Sequence, residues 1–320
     1  MDWFERLTGF RELTWEETRA RLEVRDDRLH SRANGRSYGT GRLELASVAE
    51  LRVRALGAPK GSLSLSKVTG DVRAMHAEPT NQGALFQVAS QFNLLEMIGP
   101  EVTPEDGVSR YAGDHTQGPA CAVAAGAATI FRNYFAPVNG QSGQTATRQI
   151  DALADLGAAL DNQGDRLWRM RNGYALCTRE GLAEIEARLA AASPAQVDAL
   201  RDLLRIGLHW DVEVTDAHHE PRPVVSQAFC SALPVAYTGI PARHWRAFAT
   251  LVLEGAYEAT LWAAALNAAR GASNIVYLAR LGGGAFGNDA EWIDAAMQRA
   301  LALARDVALD VRVVSFGKGR

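Results

Sequence analysis

Cysteine is scarce. Cys121, Cys177 and Cys230 are the only three in 320 residues. Three thiols cannot all pair within one chain, and no C-x-x-C spacing occurs. A disulfide framework is therefore excluded, and a reducing, cytoplasmic setting is the expectation. A dominant charge is also missing: 34 Lys and Arg stand against 37 Asp and Glu, for a net charge of −3. That balance argues against a nucleic-acid partner held by a global basic field. Long apolar runs are absent too. The stretch Leu251–Ala269 is broken by Glu254, Glu258 and Asn267, so it reads as a buried helix and no membrane partner is expected. The opening MDWFERLTGFRELTWEETRAR is charged throughout and has no apolar h-region, so no secretory signal is expected. Internal repeats and low-complexity tracts are lacking as well.

What is present is ordinary globular material, 47% hydrophobic and 22% charged. Residues 1–60 read as a small α+β appendage. Asp2–Leu7 is a short helix, and Thr14 caps a second with Glu17 at the capping-box position. Asn34-Gly35 marks a hairpin turn. Gly57-Ala58-Pro59-Lys60-Gly61 breaks the pattern and is taken as a boundary.

From Gly61 onward, strands alternate with helices. Leu63–Val68 alternates apolar and polar, and Ala84–Ala89 is a nearly continuous apolar strand. Pro119 opens a helix of small residues running to Phe135. A polar loop at 139–148 precedes a helix at Gln149–Leu160. Asn172-Gly173 then turns a second hairpin, and two amphipathic helices follow at Glu180–Ala192 and Pro194–Leu204. Strands are expected at His209–Val214, Val224–Leu233, Asn274–Ala279 and Val311–Phe316, with helices at Trp245–Arg270 and Ala290–Arg305. Trp245, Phe248, Leu251, Val252, Tyr257, Leu261 and Trp262 follow helical spacing and should face the core. The pattern predicts an α/β fold with a mixed, mostly parallel sheet covered by helices on both faces.

Four segments carry candidate chemistry. Leu281-Gly-Gly-Gly-Ala-Phe-Gly-Asn288 follows a predicted strand and precedes a helix, where bare backbone amides and the helix N-terminus suit phosphate. Gly282, Gly284 and Gly287 satisfy G-x-G-x-x-G, but a dinucleotide fingerprint opens the first βαβ unit with an acid about 20 residues on, and this motif comes late without one. A tight turn is the alternative. Tyr111–Cys121 also enters a helix and offers Asp114, His115, Thr116 and Gln117; helix capping would account for it equally. Gly70-Asp71-Val72 ends a strand, where Asp71 could accept from an adenine amino group. Asn81-Gln82-Gly83 and Ser90-Gln91-Phe92-Asn93 bracket the next strand, at the end where α/β sheets bind ligands.

In this order, the segments resemble the macrodomain and the wider poly(ADP-ribose) glycohydrolase-like superfamily. The resemblance covers residues 61–135 and 205–320 and leaves 1–60 and an insertion at about 139–205 outside it. It implies a macrodomain-like fold that binds ADP-ribose or a related NAD-derived nucleotide and needs no cofactor. It places Asp71 and Val72 at the adenine and Asn93 at the distal ribose. Gln117 and Gly118 would lie in the first phosphate loop. Gly282, Gly283, Gly284, Ala285 and Phe286 would form the second, with Phe286 beside the distal ribose. The sequence departs from the family in its first loop, DHTQGPAC, and lacks both Gln-Glu-Glu and Asn-Ala-Ala-Asn. The catalytic group is thus open.

Three functions follow. The first is hydrolysis of an ADP-ribosyl linkage, with Asp114, Glu96 and His115 as acid/base candidates, the last because an imidazole titrates near neutrality. For Glu96, a solvated helix position is the competing reading. The second is a non-catalytic ADP-ribose reader. The third is a cysteine hydrolase or transferase: Cys121 lies in the first turn of a helix, where the dipole favours thiolate, with His115 as base. No metal is expected, because Asp216, His218, His219 and Glu220 lack a recognised spacing and read as a solvated loop.

Overall fold

The computed structural model describes residues 1–315. Its centre is a seven-stranded sheet. In chain order the strands are β1 (Arg42–Ser47), β2 (Ser64–Thr69), β3 (Leu85–Ala89), β4 (Arg205–Glu213), β5 (Val224–Cys230), β6 (Ile275–Leu278) and β7 (Asp310–Ser315). Across the sheet the order is β1-β4-β5-β3-β6-β7-β2. The β1–β4 and β4–β5 pairs are antiparallel, and every pair from β5 to β2 is parallel. The predicted α/β class and mostly parallel sheet are therefore what the chain forms. Phe316, expected in the last strand, lies outside the described residues.

Period-two alternation sends side chains to two cores. Leu85, Ala228, Cys230, Val276 and Leu278 face one, while Phe86, Val88, Val225, Phe229 and Tyr277 face the other. The helices are α1 (Trp3–Thr8), α2 (Trp15–Ala20), α3 (Val48–Arg54), α4 (Val72–Ala77), α5 (Gln117–Ala124), α6 (Gly126–Tyr134), α7 (Ala154–Ala159), α8 (Arg179–Ala191), α9 (Pro194–Asp202), α10 (Arg246–Ala269) and α11 (Ala290–Leu303). The first core lies under α10, which packs on α3, α8, α9 and α11. Its predicted core residues are buried, Trp262 only partly. On the opposite face, α4 packs on α5, and α5 on β3.

Three segments differ from the sequence expectation. The long small-residue helix is two helices, because Ala125 leaves helical geometry (φ −112, ψ 59) and Gly126 N–H bonds Thr215 Oγ1 at 2.8 Å. The helix expected at 149–160 shrinks to α7. Tertiary acceptors take the donors ahead of it: Ile150 N–H bonds Gln144 Oε1 and Ala152 N–H bonds the Phe92 carbonyl. Residues 42–47 form an edge strand of the main sheet, so the Gly-Pro break at 57–61 falls between two of its strands.

The remaining N-terminal residues build a three-stranded sheet, Leu22–Arg25, Arg28–Ser31 and Ser37–Gly39, beside α1 and α2. The Glu12 carboxylate accepts from the N–H groups of Val108 and Ser109 (2.8 and 2.7 Å) and from the Tyr134 hydroxyl (2.7 Å). This ties the N-terminal region to the segment that leads into the 111–121 loop. The hairpin Trp168–Arg171/Tyr174–Cys177 turns at Asn172-Gly173 as expected, and Phe92 N–H bonds the Gly173 carbonyl at 3.0 Å.

Candidate functional site

The sheet opens at its centre. Strands β3 and β6 pair only through Leu85/Val276 and Phe86/Tyr277. Beyond that, side chains complete the ladder. Gln87 Oε1 accepts from Ala279 N–H at 3.1 Å. Gln117 Oε1 accepts from Ala89 N–H at 2.8 Å, and its Nε2 donates to the Gln87 carbonyl at 2.7 Å. The strands splay without stranding buried polar groups, and a crevice forms at their carboxyl ends, where open α/β sheets bind ligands.

The crevice has two compartments, of about 430 Å³ and about 680 Å³. Each is within the size range of small-molecule sites. Ala89, Asp114, His115, Thr116, Gln117, Pro119 and Arg280 line both, so they form the waist of one cleft. Asp71 and Val72 line the larger compartment. Glu96, Gly118, Gly282, Gly284, Ala285 and Phe286 line the smaller. Segments as distant in sequence as Gly70 and Ser315 thus meet in one cleft, with Asp114 and His115 at its waist and Glu96 in one arm.

The glycine-rich loop is closed by its own backbone. Gly283 N–H bonds the Arg280 carbonyl at 3.2 Å and Gly287 N–H the Gly284 carbonyl at 3.0 Å, with Gly282 and Gly287 both at φ +70. Among the described residues, the N–H groups of Gly284, Ala285 and Phe286 have no protein acceptor. Consecutive free amides of this kind form an anion-binding concavity. Gly283 lines neither compartment and serves the turn. At the waist, Asp114 Oδ1 accepts from Thr116 N–H at 2.9 Å. Gln117 and Gly118, whose first-turn amides have no intrahelical partner, line the same cleft.

Glu96 is neither solvated nor helical. Its side chain is fully buried against Arg132, whose Nη2 lies 3.3 Å from Oε1. The guanidinium also bonds the Leu94 carbonyl and Thr129 Oγ1 and stacks on Phe229 at 3.8 Å. Burial raises the Glu96 carboxyl to about 7 even against the pull of Arg132. Tyr111 accepts from Glu96 N–H at 3.1 Å, fixing the segment from behind. A carboxyl raised in this direction, on a residue that lines the cleft, is suited to exchange a proton near neutral pH.

No protein-family profile and no curated protein sequence matches this chain. Solved structures similar to it include poly(ADP-ribose) glycohydrolase from Deinococcus radiodurans in complex with ADP-ribose, with a TM-score of 0.46 and 10% identity over 86% of this chain and 87% of that one. Poly(ADP-ribose) glycohydrolase from Thermomonospora curvata is similar with a TM-score of 0.42 and 16% identity over 90% and 87% of the chains. The latter's complex with the inhibitor ADP-HPD gives 0.39 and 17% over 91% and 87%.

Several expected roles need correction. Asn93 does not line the cleft. It is buried, its Nδ2 donating to Gln149 Oε1 at 2.8 Å and its Oδ1 accepting from Leu95 N–H at 3.1 Å. Gln117 spends its side chain on the sheet and leaves only backbone to a ligand. Asp71 is not displaced from the cleft: its Oδ1 caps α4 through Arg73 N–H at 2.9 Å while the residue lines the larger compartment. Cys121 is poorly placed for a nucleophile: it is fully buried, lines neither compartment, and burial pushes its thiol well above the ordinary range. Burial outweighs the helix dipole because the thiol faces the core. Asp216 pairs with Arg73 (2.6 Å), and no metal-binding group of His, Cys, Asp or Glu occurs among the described residues.

Sequence reasoning missed Arg280, Arg132, Tyr174 and Tyr237. Arg280 directly precedes the glycine-rich segment and was within reach. Tyr174 sits in the insertion, and Arg132 on a helix face that reads as core; only the folded chain brings them to the site.

Proposed function

We propose that the cleft binds ADP-ribose or a related ADP-ribosyl nucleotide and hydrolyses its glycosidic linkage at the Glu96 arm. One observation carries the reading: a single cleft runs from Asp71, past two sets of backbone amides, to a buried carboxyl poised near neutrality. Asp71 and Val72 would hold the adenine. The amides of Gln117, Gly118, Gly284, Ala285 and Phe286 would hold the diphosphate, with Arg280 beside them. Glu96 as carboxylate would take the proton of the attacking water, and Asp114 would orient that water from the waist. Three buried free thiols fit a reducing compartment. No described helix is long and apolar enough to cross a membrane.

The test is calorimetric titration with ADP-ribose, AMP and NAD on wild type and Gly284→Glu. A Cβ at Gly284 meets nothing within 4 Å, so the glutamate would enter open space with its charge. ADP-ribose binding that the variant abolishes is the expected result; no binding of any of the three overturns the reading. The missing Gln-Glu-Glu signature favours a non-catalytic reader as the second reading. ADP-ribose binding without turnover of any ADP-ribosyl substrate would select it.

A further inference from the structure

The small compartment has an end that the ADP-ribose reading leaves unassigned. Met97, Ile98, Tyr174, Tyr237 and Phe286 line this compartment and not the larger one. The three rings come from separate parts of the chain: the inserted hairpin, the segment after β5 and the glycine-rich loop. They pack as one aromatic cluster, with centroids 5.1 Å (Tyr174–Tyr237), 5.3 Å (Tyr174–Phe286) and 5.4 Å (Tyr237–Phe286) apart and ring planes inclined by 50°, 44° and 74°. Tyr174 is buried and anchored, its hydroxyl donating to the Met97 carbonyl at 2.6 Å. Tyr237 and Phe286 are half-buried. Ile98, 65% exposed, stands at the rim.

We propose that this end holds a planar, cationic heteroaromatic base on the distal ribose, so that the substrate class is the oxidised nicotinamide dinucleotide and kindred ADP-ribosyl–base N-glycosides. The inference rests on the ADP-ribose reading of the cleft. The partly exposed ring of Tyr237 or Phe286 can stack a flat ring, and ring faces attract a cation. Asp114 lines the same compartment and offers a carboxylate to such a cation, whereas Glu96 is paired with Arg132 and Arg280 with Asp294. A further ADP-ribose unit or an acidic side chain would instead bring anionic groups against the apolar wall of Met97, Ile98 and the aromatic rings, which is unfavourable. The step balances without a redox partner. Water oxygen bonds C1′ as the C1′–N bond breaks. The bonding pair returns to the ring nitrogen and neutralises it, and one water proton passes to Glu96 and then to solvent. The products are ADP-ribose and the free base.

The experiment is calorimetric titration of wild type, Tyr237→Ala and Ile98→Lys with ADP-ribose and with the oxidised and reduced nicotinamide dinucleotides, base release being followed chromatographically. Tyr237→Ala should weaken the oxidised dinucleotide about tenfold, the usual effect of losing one stacking ring, and ADP-ribose less than twofold. Ile98→Lys alters only an exposed side chain and so should fold. It should weaken the oxidised form more than the reduced form. Wild type that binds ADP-ribose but not the oxidised dinucleotide overturns the inference and leaves the ADP-ribose reading standing. Equal loss of both ligands in Tyr237→Ala, or no effect of Ile98→Lys, also overturns it. Wild type that binds neither ligand overturns both.

Discussion

Glu96 packs directly over Gly118. A Cβ on Gly118 would stand 3.2 Å from Glu96 Cγ and 1.9 Å from the Ala89 carbonyl oxygen. The start of α5 therefore touches both the end of β3 and the buried carboxyl. Only a residue without a side chain permits that approach. The amides of the first turn and the candidate proton acceptor are held at one place by the same contact.

Gly118→Ala should therefore disturb stability and site together. The 1.9 Å contact is with backbone, which cannot swing away, so α5 must shift. Overpacking of this kind costs about 1–3 kcal/mol. Thermal denaturation should show a lowered Tm, and ADP-ribose affinity should fall because the first-turn amides move. Unchanged Tm and affinity would contradict the contact.

The Glu96 carboxyl makes stability depend on pH. Its folded value of about 7 exceeds the ordinary 4.5, so between these values the folded chain binds more protons than the unfolded chain. Stability from this group is complete below pH 4.5 and is lost as pH rises through about 7. The full effect is about 3 kcal/mol. Urea unfolding from pH 4.5 to 8 should show this decline in wild type and its absence in Glu96→Gln, whose amide does not titrate. Catalysis runs the other way. With Glu96 as proton acceptor, kcat should rise with pH through about 7, and Asp114→Ala should lose turnover while it keeps ADP-ribose affinity.

The thiols should be inert. Cys121, Cys177 and Cys230 are free and buried, and burial raises all three thiols. Iodoacetamide should leave native protein unmodified and any activity intact, while denatured protein should take up three equivalents. Rapid loss of activity on alkylation would restore the cysteine reading.

Local pattern made much of this protein legible in advance. The apolar run 84–89 became the central strand, the Asn172-Gly173 turn became a hairpin, and the helical spacing from Trp245 became α10. Such features depend on residues a few positions apart, so the sequence alone determines them. The glycine-rich loop was visible for the same reason, since clustered residues without side chains mark a place where backbone comes close to something.

Tertiary structure decided the rest. Asn93 looks like a ligand contact because amides near a strand end suit that role, and Gln117 because the resemblance puts it in the first phosphate loop. Folding instead gave both side chains acceptors and donors within the protein, and a satisfied amide has nothing left for a ligand. Glu96 reads in the sequence either as an acid/base candidate or as a solvated helix residue; Arg132, 36 positions away, meets it in a buried site, where burial raises its carboxyl. Cys121 lost its chemistry by the same burial. Local propensity depends on neighbours in the chain. Titration, reactivity and hydrogen-bond satisfaction depend on dielectric and on partners in space, which only the closed fold supplies.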